Sequence, residues 1–299
     1  MNISCSLMIL TVNIENKHMA TVLLKFLFMI IVFFFLDITN EKELKDTIAK
    51  FQPKFIIHCA AQRFPDKCDK NPKEAELLNV TATEYIAAIA RKMIPLIFIS
   101  TDYVFDGKNP PYQPISEPNP VNLYGKTKAE GETITLSKSL KNMILRVPVL
   151  YGPVTSLSES AVTSLLQNLR PAHVDDIASI CFDLLQQKIK DPELKGIFQW
   201  SGEEVFTKYQ MIQVMSEVFN LKMDHITPDS KEPDPSAAAR PFDVTLDSSR
   251  LKSLGIHHHT IFKEGIKKIL QNGCKNEDEH ETIFPVREMR ERPHYNSIF

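Results

Sequence analysis

The sequence predicts an α/β fold built on a parallel sheet, with a smaller lobe toward the carboxyl terminus. Two observations carry that expectation. Short apolar runs alternate with longer stretches whose apolar residues recur every three or four positions, the signature of strands joined by crossover helices. The polar residues with chemical potential sit directly behind the apolar runs, at the strand ends where open α/β sheets bind ligands.

Taken in order, the first feature is Met19 to Leu36, eighteen residues whose only charge is Lys25. It approaches the roughly twenty apolar residues of a membrane span, but it lacks the basic start and small-residue cleavage site of a secretory signal. A membrane role is not expected. The stretch reads as a buried strand or helix or, the preferred alternative, as an atypical amino-terminal segment joined to a truncated fold. From Asn40 the pattern becomes regular. Asn40 and Glu43 form a capping box, Leu44 and Ile48 share a face, and Pro53 closes the helix before the apolar strand Phe55 to Cys59. A helix from about Lys73 to Lys92 precedes the strand Leu96 to Ser100, whose carboxyl end delivers Thr101. The next helix carries Tyr124 and Lys128, and Met143 to Leu150 reads as another buried strand.

Farther on, Asp175 or Asp176 can begin a helix through Ile177, Ile180, Leu184 and Leu185, and Thr207 can cap one bearing Met211, Val214 and Val218. Pro228 to Arg240 reads as a loop. A segment Asp247 to Leu254 and a helix Ile261 to Leu270 complete the globular part. The expected division is an atypical hydrophobic segment at 1–36, a dinucleotide-binding-like part at 37–152, a substrate-side lobe at 153–272 and a flexible tail at 273–299.

Composition narrows the function classes. The chain has 299 residues, 43% of them hydrophobic, and a net charge of −2, so nothing points to nucleic acid. Its five cysteines are odd in number and scattered, which indicates a reducing, cytoplasmic setting. Asn79-Val-Thr81 matches a glycosylation acceptor, but a buried helix asparagine is the better reading for such a chain.

The chemistry concentrates in Ser100-Thr-Asp-Tyr-Val-Phe-Asp-Gly107 and Tyr124-Gly-Lys-Thr-Lys128. Residues four apart share a helix face, so Lys128 would lie beside Tyr124 and pull its phenol below the ordinary value of about 10. A phenol tuned in this way can pass a proton to a carbonyl oxygen that Thr101, or less favourably Ser100, holds in place.

Together with His58-Cys-Ala-Ala61 and Leu145-Arg-Val-Pro-Val-Leu-Tyr-Gly152, these blocks resemble the extended short-chain dehydrogenase/reductase family. Within it they resemble the branch of dTDP-4-dehydrorhamnose reductases and regulatory beta subunits of methionine adenosyltransferase. Arg63-Phe-Pro-Asp66, Asn109-Pro-Pro-Tyr112, Glu159-Ser-Ala-Val-Thr163, His173-Val-Asp-Asp176, Phe198-Gln-Trp-Ser-Gly202 and Thr207-Lys-Tyr-Gln-Met211 look like the beta subunits. The resemblance runs from Asp37 to about Ile269. It implies a Rossmann-like sheet binding NADP, with Thr101, Tyr124 and Lys128 as the catalytic set and Asn79 completing a tetrad. It further implies Ala60 and Ala61 where the cofactor nears the backbone, Pro148 bordering the nicotinamide, and Asp37 near the adenine.

The chain departs from that pattern in three places. A Rossmann fold needs its first strand to run into a glycine-rich turn that meets the pyrophosphate, yet residues 1–36 hold no glycine and the first in the chain is Gly107. The amino-terminal strand and turn therefore look replaced, and NADP binding should be weakened. The spacer between Gly152 and His173 is short, which puts part of a substrate wall in doubt. After Leu270 the sequence no longer resembles the family.

His257-His-His259 suggests a metal, but consecutive side chains diverge and no second cluster supplies further ligands, so no metal site is expected. Asp175 and Asp176 read as helix caps rather than paired catalytic acids, and Trp200, Tyr112 and Tyr209 as packing. The leading expectation is a non-catalytic regulatory subunit that partners the catalytic subunit of methionine adenosyltransferase. The alternative is an NADP-dependent reductase of a nucleotide-sugar ketone, and a third reading is a nonfunctional product of a rearranged gene.

Overall fold

The computed structural model describes residues 8–12, 29–32, 36–91, 94–152, 170–220, 222–224, 226–228 and 236–273. The spacer at 153–169, the tail from 274, residues 19–28 and 33–35 of the hydrophobic segment and residues 229–235 of the expected loop lie outside them.

Strands β1 (Met8–Val12) and β2 (Met29–Val32) come first, followed by helix α1 (Glu41–Phe51). Asn40 caps α1, its side-chain oxygen accepting from the Glu43 N–H at 3.3 Å, and Leu44 and Ile48 are buried. A left-handed Gln52 ends the helix just before Pro53. All four residues of β3 (Phe55–His58) are buried. The single helix expected over 73–92 arrives in pieces: α2 (Pro65–Lys70), α3 (Pro72–Glu76), a π-helical turn at Leu77–Thr81 and α4 (Ala82–Ala90).

Strand β4 (Leu96–Thr101) leads through a short 3₁₀ turn into a long loop and then α5 (Leu123–Lys138). The strand expected over 143–150 is divided into β5 (Met143–Val147) and β6 (Leu150–Tyr151), because Pro148 has no N–H to donate to a ladder. Next come β7 (Ala172–His173), α6 (Val174–Lys190), β8 (Gly196–Gln199), α7 (Lys208–Phe219), α8 (Ser249–Ser253) and α9 (Phe262–Gly273).

The main sheet has six strands in the order β2-β1-β3-β4-β5-β8. From β3 to β8 every pairing is parallel, as expected for helix-connected strands. The other side differs. β1 pairs antiparallel with β3, Met8 opposite Ile57 and Leu10 opposite Phe55, and β2 pairs antiparallel with β1. The replaced amino-terminal unit thus inserts one reversed strand, β1, between β3 and β2, and β2 again runs in the direction of β3.

Two compact units divide the chain: Met1–Val147 with Ile180–Trp200 and Pro235–His257, and Pro148–Ser179 with Ser201–Asp234 and His258–Phe299. The expected boundary after 152 does not coincide with this division, because β8 at 196–199 pairs with β5 and draws its neighbours into the sheet unit. In the sheet unit Leu44, Ile48, Ile56, Leu78, Ile86 and Leu96 pack into one core. Tyr112 stacks on Phe105 with centroids 4.1 Å apart and Trp200 is 1% exposed, both serving as packing.

The second unit packs Tyr151, Met211, Phe262 and Ile266 together. Thr207 and Gln210 close a full capping box on α7. Asp176 corrects its expected capping role: its carboxylate accepts from the Thr260 N–H at 2.7 Å and hydroxyl at 2.8 Å, pinning the turn before α9. Among the described residues no helix is long and apolar enough to cross a membrane.

Candidate active site at the carboxyl edge of the sheet

Alternation along β4 separates two neighbouring hydroxyls. Ser100 faces the interior, where its Oγ donates to Glu132 Oε1 at 2.5 Å. Glu132 also accepts from Arg146 Nε at 2.9 Å and Nη2 at 2.7 Å, and Arg146 Nη1 donates to Gln199 Oε1 at 3.0 Å. The pair is almost sealed, with side chains 1% and 5% exposed. Ser100 therefore serves the core. Thr101 turns the other way: its Oγ1 donates to Asp102 Oδ1 at 3.0 Å, accepts from the Tyr103 N–H at 3.2 Å, and shares a hydrogen bond with the Tyr124 phenol.

Tyr124 is brought there by the start of α5. Asn122 caps the helix by accepting from the Gly125 N–H at 2.8 Å. At Gly125 a Cβ would stand 2.1 Å from the Tyr103 carbonyl oxygen, so only glycine lets the helix begin hard against the turn that follows β4. The Tyr103 and Tyr124 rings meet edge to face at 6.1 Å.

The expected influence of Lys128 on this phenol needs correction. Burial pushes the Tyr124 pKa upward, reinforced by the nearby Asp102, and the Thr101 hydrogen bond only partly opposes the rise. Lys128 shares the helix but curls back to β4: its Nζ donates to the Ile99 carbonyl at 2.7 Å and lies 3.9 Å from the centroid of the Phe98 ring. Burial lowers its own pKa to about 8, with Glu132 and Cys59 opposing. Spacing placed Lys128 on the correct face, but a buried ammonium seeks a carbonyl and an aromatic face, and the strand supplied both.

Asn79 lies in the π-helical turn and is 1% exposed. Its Oδ1 accepts from the Gln62 N–H at 2.7 Å, while its Nδ2 donates to the Gln62 carbonyl at 3.1 Å and to Thr127 Oγ1 at 2.9 Å. Thr127 Oγ1 in turn donates to the Tyr124 carbonyl at 2.9 Å. One amide thus ties the loop after β3 to the first turn of α5. His58 stands behind it. Thr83 Oγ1 donates to the Asn79 carbonyl at 2.7 Å, so the 2.9 Å contact with His58 requires the proton to sit on His58 Nε2. His58 Nδ1 has no partner, and burial, with Lys128 adding, drops the ring to about 3 and keeps it neutral.

Sequence reasoning missed three participants. Gln62 and Thr127 carry the Asn79 link, and Asp102 is a buried acid whose pKa burial raises to about 7. Thr127 lies three positions from Tyr124 on one helix face, a signal that was available. Gln62 acts through its backbone, which leaves no trace in residue type.

The residues expected to meet a dinucleotide are spread more widely. Ala60 is buried in the sheet-unit core and Ala61 half-buried just beyond it. Asp37 is exposed, its Oδ1 accepting from the Thr39 N–H at 2.9 Å and hydroxyl at 2.6 Å. Because α1 runs back toward the start of β3, Asp37 lies at the same carboxyl edge as Thr101. Pro148 belongs to the second unit.

The edge fits only part of a dinucleotide. Hydroxyl, phenol and amine groups stand along this edge, but the described residues do not fit a pyrophosphate. β1 runs opposite to β3, and no glycine precedes Gly107. For metals, the described residues contain no group of three or more His, Cys, Asp or Glu side chains suited to an ion. His257 packs edge-on against Trp200 at 5.5 Å in the sheet unit, whereas His259 in the second unit lies 3.8 Å from Glu204.

Comparison with known proteins places this geometry. The family model described as the RmlD substrate binding domain matches residues 29–274. The methionine adenosyltransferase 2 subunit beta of Xenopus laevis is 42% identical over 265 residues, covering 83% of this chain and 79% of that protein. A dTDP-4-dehydrorhamnose reductase from Aggregatibacter actinomycetemcomitans is 30% identical over 236 residues, covering 73% of this chain and 80% of the reductase. Among solved structures, a dTDP-4-dehydrorhamnose reductase from Bacillus anthracis in complex with NADP aligns with a TM-score of 0.66 at 25% identity, covering 79% of this chain and 86% of that one.

Proposed function

The chain belongs to the RmlD substrate binding domain family and is similar over most of its length to methionine adenosyltransferase 2 beta subunits, and on that premise we propose that it is a regulatory subunit. In this reading a reductase-type scaffold binds the catalytic subunit of methionine adenosyltransferase in the cytoplasm and adjusts S-adenosylmethionine synthesis, without a reduction of its own. The supporting observation is the margin of identity, 42% to a beta subunit against 30% to a reductase. Mixing the purified chain with the catalytic subunit and following elution and the rate of S-adenosylmethionine formation tests it. A co-eluting complex with an altered rate is expected; separate elution at micromolar concentrations with an unchanged rate would overturn the reading.

A second reading, an NADP-dependent reductase of a nucleotide-sugar ketone, draws support from the hydrogen bond between Thr101 and Tyr124. Tyr124 would be the acid, Thr101 would hold the carbonyl oxygen, and Lys128 and Asn79 would complete the set. Asp37, Ala60, Ala61 and Pro148, with Tyr124 and Lys128, would be the cofactor contacts, and residues 153–272 the substrate-side lobe. The poor fit at the pyrophosphate weighs against it. Oxidation of NADPH by a nucleotide-sugar ketone, lost in Tyr124→Phe, would favour this reading over the first.

A further inference from the structure

An open α/β sheet binds a dinucleotide because its strands end at one edge and the first of them turns there into a helix whose N–H groups meet the pyrophosphate. In this chain β3, β4, β5 and β8 obey that rule and β1 breaks it. Met8, where β1 begins, is paired next to the carboxyl end of β3, and Leu10 with its beginning. The chain therefore leaves β1 at the edge away from Thr101, opposite the edge where a parallel first strand would turn into its helix. Composition agrees: from Met1 to Asp106 there is no glycine, the residue that lets a backbone approach a pyrophosphate closely.

We infer that reversal of the first strand has removed the dinucleotide anchor, so that this chain does not take up NADP(H) at its sheet edge and acts on its partner independently of that cofactor. The second clause rests on the regulatory reading proposed above; the first does not.

Titrating the full chain with NADPH while following nicotinamide fluorescence and the melting temperature tests the first clause. The expected result is no saturable signal and a melting temperature unmoved at about 1 mM ligand, where a site with a hundredfold lower dissociation constant would raise it by several degrees. Saturable binding at micromolar NADPH that Tyr124→Phe weakens tenfold would overturn the inference. A chimera whose residues 1–36 are replaced by a parallel strand, glycine-rich turn and helix should gain micromolar binding. If the chimera melts cooperatively yet still fails to bind, strand direction is not the cause and the inference falls.

Synthase assays with and without NADP(H) test the second clause. Equal modulation supports it, and a cofactor-dependent difference overturns it. Absence of any complex with the catalytic subunit would overturn the regulatory reading and the clause built on it, leaving the binding result to stand by itself.

Discussion

The parallel side of the sheet and its reversed side share strand β3, yet they keep very different amounts of a nucleotide-binding machine. On the parallel side β4, α5 and the π-helical turn bring Thr101, Tyr124 and Asn79 into one connected network. On the reversed side β1 runs against β3 and ends at the opposite edge, with β2 paired beyond it. The difference teaches that the hydroxyl–phenol arrangement is set locally by contacts that never pass through the first strand, whereas the anchor depends on the direction of that one strand.

The strongest way to break the parallel side is to open its buried ion pair. Glu132→Ala would leave the Arg146 guanidinium buried and Ser100 without its acceptor, and should cost about 3–5 kcal/mol in urea unfolding. Pairing Glu132→Leu with Arg146→Met should recover most of that loss, since neither charge then remains.

Next is Asn79→Ala, which strands the Gln62 N–H and takes one donor each from the Gln62 carbonyl and the Thr127 hydroxyl. The expected cost is about 2–3 kcal/mol, with faster hydrogen exchange at Gln62 and a loosened first turn of α5.

Asp102 gives a pH signature. Its folded pKa of about 7 lies above the ordinary carboxyl value of 3.8, so between those values the folded state keeps a proton that the unfolded chain has lost. Stability from this group is fully present below about pH 4 and is lost as pH rises through about 7. Thermal melts from pH 4 to 8 should show that fall, and Asp102→Asn should reduce it by roughly 2 kcal/mol.

The smallest effect belongs to the reversed side. Leu10→Pro removes a ladder donor between β2 and β3 and should cost roughly 1 kcal/mol. Exchange should quicken at the β3 edge while the amides of β4 and β5 keep their protection. Loss of protection across all the strands would show that the two sides are coupled after all.

Much of the parallel side is legible in the sequence. Apolar runs located β3, β4 and the start of β5, Asn40 and Thr207 marked helix starts, and the order of motifs singled out Thr101 over Ser100. The reversed side is not, because an apolar run without punctuation carries no direction: Met8–Val12 reads equally well whichever way it pairs. The Lys128 contact also escaped, since helix spacing fixes a face but not the acceptor that a four-carbon stem will reach. The interleaving of the two units was hidden for a related reason: β8 joins β5 through backbone pairing across about fifty residues, and such pairing leaves little mark on composition.

The π-helical turn at Leu77–Thr81 has one more implication. Such a turn behaves as one residue inserted into a regular α-helix, and each residue advances a helix by about 100°. Deleting a single residue there would restore regular α-helical winding but swing Asn79 about a quarter turn or more away from Gln62. That stretch should accept changes of side chain far more readily than changes of length, so its phase, more than its chemistry, is what descendants of this chain must inherit.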